Sequence, residues 1–471
     1  MPAIMALAQG WNPFHAHHLA GWNPGFAQAI ASPIIDFPAS VLVDHFAKGA
    51  WIIACAVYRG TGALEAAKMF NLLYLLAVYL FAVPLFSRLR FTRSWSRILA
   101  VIIAANPVAL YQMPSFFIDG QIACLCTLAA LAAFDYFRQP RLLTLLLFGA
   151  CLALLADVKF TGAVIGICFV GGSAILAWLC GRRKEVTRFV IVGAVSLLLA
   201  GVFIGYQPYV TNFQDHGHPF YPALGQSEVI MMAKKAPSEF LAMNRMEKLA
   251  RSVFSYSGGA ETMPRWKIPF TITKQELYIF FNTEPRYGGF GPLFGSVLLA
   301  AFFVFALARA VISRKAWNMG FGLAVMVVLS VLINPEAWWV RYSPQLWLVP
   351  VILVSAVMLG SQRWLRRAAA VLALLLLANS MLVAALNWGR AAEKNLAFRQ
   401  QLNDLQAMSS SGALEVAIHP SFRMVTEYRL QKRSIPYRLT EKLPCPAPMY
   451  FSYPADARAA ACPSAQRPDQ R

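Results

Sequence analysis

The sequence predicts an all-α integral membrane protein of about ten transmembrane helices, with a small α/β extracytoplasmic C-terminal region. Three observations predict it. The 471 residues are 58% hydrophobic and only 14% charged, with mean hydropathy +0.52, whereas a soluble chain is about a quarter charged. Apolar stretches recur at the length a bilayer demands. Basic residues crowd into alternate connecting loops.

A spanning helix needs about 20 mostly apolar residues, because lipid offers no partner to free backbone groups. The qualifying stretches are 64–86, 97–112, 119–137, 142–157, 160–180, 189–208, 289–312, 317–334, 343–360 and 368–388. Residues 46–60 (FAKGAWIIACAVYRG) are apolar but too short, and read as an interfacial or re-entrant helix. Met1 opens neither a signal peptide nor a helix, since no basic region leads into an apolar one there.

The loops orient the spans. Alternate short loops carry Arg88, Arg90, Arg93 and Arg97, then Arg138 and Arg141, then Arg182, Arg183, Lys184 and Arg188, then Arg309, Arg314 and Lys315, then Arg363, Arg366 and Arg367. The intervening short loops hold only Lys159 and Arg341. Lys and Arg stay on the cytoplasmic side, so the C-terminus is extracytoplasmic and the expected home is a bacterial inner membrane. Five regions follow: an outer segment 1–63, a six-helix membrane region 64–208, an outer loop 209–288, a four-helix membrane region 289–388 and an outer tail 389–471. This placement also disposes of the formal net charge of +20 as a nucleic-acid signal, because no basic tail or basic-aromatic motif exists.

Within the outer loop, 238–254 (SEFLAMNRMEKLARSVF) has helical apolar spacing, with Arg245, Lys248 and Arg251 on another face. It reads as an amphipathic helix on the membrane or a helix packed on the outer domain. In the tail, 389–408 reads as a polar helix, GALEVAIHP as a short strand, and the final PADARAAACPSAQRPDQR as unstructured. Six of the 8 cysteines lie in apolar segments as small hydrophobes. Cys445 and Cys462 lie in the outer tail, where an oxidising compartment permits a disulfide; two free thiols are the alternative.

The spans carry almost no charge at mid-depth, which counts against an ion-coupled pump. Polar groups converge instead on the outer boundary. They are His15, His17, His18, Asp36, Asp44, His45 and Lys48 of the first segment; Asp119; Asp157 and Lys159; Asp215, His216 and His218; and Glu336 and Arg341. Carboxylates suit general-base work, and Lys and Arg suit a phosphate. Each has a plainer alternative: the HAHH turn as polar surface rather than metal ligands, Asp119 as a helix cap, Lys159 and Arg341 as snorkelling residues, and Trp338 and Trp339 as an interfacial belt. No nucleotide-binding glycine loop, zinc spacing or nucleophile elbow is present.

Several stretches resemble the GT-C class of bacterial membrane glycosyltransferases, which use polyprenyl-phosphate-linked sugars. PAIMALAQGWNPF (2–14) is similar to their first outer loop. HFAKGAWIIACAVYRGTGALEAAK (45–68) resembles the lead into the next helices. FFIDGQ (116–121), DVKFTG (157–162), GHPFYP (217–222) and VRYSPQLW (340–347) resemble four further outer elements, with His218 where members carry Asn. The likeness covers most of residues 2–350. It implies a polyprenyl-phosphate-sugar donor, a membrane-lipid, glycan or protein acceptor, and in some members a divalent metal; the charge placement above already argues against a nucleic-acid partner.

The resemblance assigns Asp119 and Asp44 as candidate catalytic carboxylates, and Lys159, Arg341 and Lys48 as lipid-phosphate ligands. One departure stands out. Members carry a first span and a catalytic Asp before the stretch matching Pro2–Trp11, where this sequence has only Met1. A longer natural chain is the expectation, and an inactive truncated relative the alternative; Asp36 and Asp44 are the carboxylates left in that loop. The motif GWNP occurs at 10–13 and again at 21–24. The rival functions are a polysaccharide polymerase or ligase, and a non-enzymatic lipid transporter.

Overall fold

The computed structural model describes residues 1–30, 39–224, 235–443, 445, 448–451 and 459–463. Asp36 lies outside them. The chain is mostly helical and divides into two units, Ala47–Trp388 and a second made of Met1–Phe46 with Gly389–Arg471. The outer segment expected at 1–63 is therefore split at residue 46, and its first part groups with the C-terminal region.

Among the described residues of the chain, six helices are long and apolar enough to cross a membrane: Leu64–Arg88, Asp119–Arg138, Phe160–Leu179, Arg183–Ile204, Arg314–Leu332 and Arg363–Met408. Three shorter apolar helices, Leu142–Val158, Phe294–Ala310 and Pro344–Met358, match three more of the expected stretches. The remaining stretch, 97–112, is not one helix. It divides into Arg93–Ala104 and Pro107–Gln112, because Pro107 supplies no N–H and biases Asn106 away from helical geometry. Asn106 holds the break: its Oδ1 accepts from Val108 N at 3.0 Å and its Nδ2 donates to Pro344 O at 2.9 Å.

Asp119–Arg138 is the central helix of its unit and is buried along most of its length. Its Ala, Cys and Gly residues let neighbours come close; the Gly120 backbone packs directly on that of Ala109. Arg183–Ile204 is its opposite, with Ile191, Leu198, Val202 and Phe203 exposed. Ile167, Ile175 and Trp178 of Phe160–Leu179 are exposed likewise. Such a continuous apolar outer face is compatible with a lipid surround.

The apolar segment expected at 46–60 is the helix Gly49–Thr61, closed by Gly62 at φ 64°. The single helix expected over 238–254 is two, Ser238–Leu241 and Arg245–Val253, because the Asn244 side chain accepts from Glu247 N and starts a new helix there. Both pack on protein: Phe240 is buried, and Ser252 Oγ donates to Trp338 O at 2.5 Å. A buried Glu276 ties the same loop together by pairing with Lys267 and accepting from Ser257 N at 3.0 Å.

The second unit carries a four-stranded sheet of β1 (Leu414–Ile418), β2 (Tyr437–Leu439), β3 (Met449–Tyr450) and β4 (Ala459–Pro463), in the order β2-β1-β4-β3. β2 runs parallel to β1, and the other pairs are antiparallel. β1 is the expected strand. β4 corrects the expectation that everything after residue 453 is unstructured: its alanines fit the buried face of β1, and Cys462 is bonded to Cys445, with Cα atoms 6.0 Å apart. The two GWNP motifs have local work here. Asn12 accepts from Phe14 N, and Asn23, before Pro24, accepts from Phe26 N to cap a helix.

In the Ala47–Trp388 unit, Asn379 Oδ1 accepts from Leu293 N at 3.0 Å and its Nδ2 donates to Phe290 O at 2.7 Å. Gly291 between them has φ 104° and no room for a Cβ beside that amide. Asn379→Leu should lower stability by about 2–4 kcal/mol by stranding two buried backbone groups. Thermal unfolding of the detergent-purified chain measures this, and Gly291→Ala should destabilise in the same assay.

Candidate functional site

Three segments distant in sequence meet in the Ala47–Trp388 unit, and each is brought there by the end of a helix. Asp119 is the first residue of Asp119–Arg138, where a carboxylate is favoured by the helix dipole. Lys159 is the single extended residue, φ −163° and ψ 142°, joining Leu142–Val158 to Phe160–Leu179. Arg341 lies in the short turn Val340–Tyr342, before the helix that starts at Pro344.

Their side chains form one buried cluster. Lys159 Nζ donates to Asp119 Oδ1 at 2.7 Å, and Gln112 Nε2 donates to Oδ2 at 3.2 Å. Arg341 Nε lies 2.8 Å from Oδ2 as an ion pair by distance, its N–H not aimed along that line. Asp119 is fully buried; Lys159 is 8% and Arg341 14% exposed. Burial opposes the charge on Arg341, but the Asp119 carboxylate more than offsets it and raises its pKa.

These contacts settle the plainer alternatives. Asp119 does not cap its helix; Gln112 does, its Oε1 accepting from Gly120 N at 2.9 Å. Neither Lys159 nor Arg341 snorkels, since both turn inward to a carboxylate. Trp338 and Trp339 are not an exposed interfacial belt: both are buried, because their indole N–H groups find partners inside the protein, Glu336 Oε2 at 2.5 Å and Pro285 O at 3.0 Å.

The same aromatic wall carries two residues that the sequence reading passed over. Glu284 pairs with the Arg341 guanidinium and is itself partly exposed. Arg286 lies over Trp339, its guanidinium carbon 3.5 Å from the ring centroid, with that of Arg341 5.0 Å from the same ring. Among the described residues Arg286 has no carboxylate partner, and its Nη1 is buried without a hydrogen bond. Burial without a counter-charge lowers its pKa to about 10. Lys159 faces the Tyr342 ring at 4.3 Å, which completes the wall. Lys159 and Arg341 thus share two carboxylates while Arg286 has none, and these five side chains together are one negative charge short of neutral. Nothing in the loop TEPRYGG marks Arg286 in advance, because only packing shows that its partner is a ring rather than an acid.

The remaining candidates lie elsewhere in local contacts. Phe220 of GHPFYP packs on Phe160 at 5.7 Å and on Tyr209 at 5.9 Å, which sets that motif beside DVKFTG. His218 Nδ1 accepts from Phe220 N, and His216 stacks on Tyr221 at 3.7 Å. Asp215 is the penultimate residue of the short helix Thr211–His216. Lys48 is buried over Trp51, and the adjoining Gly49 backbone abuts the Asp157 carboxyl so closely that no Cβ fits. Asp44 belongs to the other unit, where its Oδ1 accepts from Leu19 N at 2.9 Å and Oδ2 lies 3.9 Å from His18 Nδ1. His45 lies 5.6 Å from the His18 ring, and His15 and His17 occupy the turn before it. Among the described residues no group of three or more His, Cys, Asp or Glu is placed to hold a metal ion.

No family model, curated protein or solved structure matches the chain.

Removing Lys159 as Lys159→Met should cost roughly 3–5 kcal/mol, because it strips a buried carboxylate of one counter-charge. The pair Lys159→Met with Asp119→Asn should recover much of that loss. Thermal unfolding of the two variants in one detergent checks this coupling, and additive losses would deny it.

Proposed function

We propose that this chain is a GT-C-type membrane glycosyltransferase, moving a sugar from a polyprenyl-phosphate donor to a lipid, glycan or protein acceptor. The reading places it in a bacterial inner membrane, multi-pass, with the site and the C-terminus on the outer face. The observation that carries it is the meeting of FFIDGQ, DVKFTG and VRYSPQLW around Asp119 in a cluster one negative charge short of neutral.

In this reading the donor phosphate takes up the missing charge. Arg286 and the remaining N–H groups of Arg341 bind it, and Trp339 and Tyr342 line the path of the sugar or the first isoprene unit. The acceptor oxygen bonds to the anomeric carbon as the bond from that carbon to the phosphate oxygen breaks. The lipid phosphate leaves with the electron pair, and fixed cations stabilise the growing charge. Asp119 is too enclosed to take the acceptor proton. It serves instead as the anchor that aims Lys159 and Arg341, and Glu284, the more exposed carboxylate of the cluster, is the base. Asp44 and Lys48 enter no step.

The test uses the full chain in proteoliposomes with polyprenyl-phosphate-linked hexoses and pentoses and a membrane-lipid extract as acceptor. Release of polyprenyl phosphate is followed. Arg286→Ala should lower it roughly a hundredfold, the cost of one fixed transition-state donor, with thermal unfolding changed only by the loss of the Trp339 ring contact, about 0.5–2 kcal/mol, because among the described residues Arg286 has no carboxylate partner. Full turnover in that variant, or no turnover by the unaltered chain with any donor, would sink the reading.

A further inference from the structure

A second feature of the Ala47–Trp388 unit has no part in that chemistry. A cavity of about 380 Å³ opens among the ends of the helices that adjoin the basic loops. Its walls are almost wholly apolar, formed by Leu85, Phe86, Leu131, Phe134, Leu323 and Val351 among others. At its rim stand Arg138 and Lys315, both exposed.

The rim cations are unneutralised. The nearest acid along the helix of Arg138 is Asp135, but Asp135 is taken by Arg88 Nη2 at 2.9 Å. Arg138 itself lies over the Phe134 ring, 6.0 Å from its centroid. Among the described residues neither Arg138 nor Lys315 has a carboxylate within ion-pair distance. Ser355, which lines the cavity near the same end, has a buried hydroxyl without a hydrogen-bond partner. The set therefore combines acyl-lined walls, a hydroxyl free to meet an ester oxygen, and two cations at the mouth.

We infer that this cavity is a binding site for an acidic glycerophospholipid, its acyl chain between the helices and its phosphate between Arg138 and Lys315. The choice of an anionic lipid rests on charge complementarity, since basic residues at a bilayer surface attract acidic headgroups. It depends on the helices crossing a bilayer but not on the glycosyltransferase reading.

The experiment is native mass spectrometry of the detergent-purified full chain, offered dioleoyl phosphatidylglycerol or dioleoyl phosphatidylcholine. The chain should retain phosphatidylglycerol, the anionic lipid of the two, in preference. Arg138→Glu with Lys315→Glu should cut that retention at least tenfold, on the scale of two headgroup-facing charges. Both residues are exposed, so thermal unfolding should not change. Ala130→Phe, which fills the apolar part, should release the lipid with both cations intact. Arg366→Glu, in the first turn of the helix Arg363–Met408 and outside the cavity, should leave retention as it was. Equal retention of the two lipids, retention unchanged in the double-Glu variant, or a loss as large with Arg366→Glu would overturn the site. So would displacement of the bound lipid by an equal amount of polyprenyl phosphate, which would make the cavity part of the donor path.

Discussion

A carboxylate with no exposure to solvent has to be compensated by protein, and the arrangement around Asp119 follows from that requirement. The compensation arrives from two directions, Lys159 and Arg341, each more than 35 residues away in sequence. A buried charge so paired adds little net stability compared with an apolar core, but it penalises every arrangement that leaves it unpaired. The helices carrying these three residues must therefore end at one place, and the interruptions in the helical pattern serve that end. Lys159 is a single extended residue between two helices, and Arg341 sits in a turn that allows the chain to re-enter as Pro344–Met358.

The cluster and the cavity in the same unit make an instructive pair. Around Asp119 the cations are largely spent on internal carboxylates, and one positive charge remains, on Arg286. At the basic-loop end Asp135 is spent on Arg88, and Arg138 and Lys315 keep their charges for something outside the protein. Counting partners, rather than counting basic residues, separates structural cations from those free to bind. By that count the residue best suited to the donor phosphate of the proposed reaction is Arg286, which no local pattern singles out.

Much of the fold was legible because bilayer-length apolar runs are a one-dimensional signal. Six long apolar helices and three shorter ones fall where the hydrophobic stretches lie. The errors fall where a single side chain outweighs periodicity: Asn106 before Pro107 breaks one stretch, Asn244 starts a helix inside another, and a disulfide pins a strand into a tail of low apparent order. The site was legible in part. Asp119, Lys159 and Arg341 stand out as rare charges at the ends of apolar runs. Their mutual pairing does not, because nothing local distinguishes a snorkelling lysine from one that turns inward.

The sequence by itself determined most of the long apolar helices, their approximate ends, the strand at 414–418 and the short list of charged residues at those ends. These depend on composition and local spacing, which the chain carries wherever it goes. Tertiary structure alone decided which charges neutralise one another, that Trp338 and Trp339 are interior, that Arg286 lies on a ring without an acid, and that a cavity opens between Arg138 and Lys315. Each is a matter of distance between residues far apart along the chain, and burial fixes its sign and strength. A lysine or arginine read in isolation has a charge; only packing shows whether that charge has already been used.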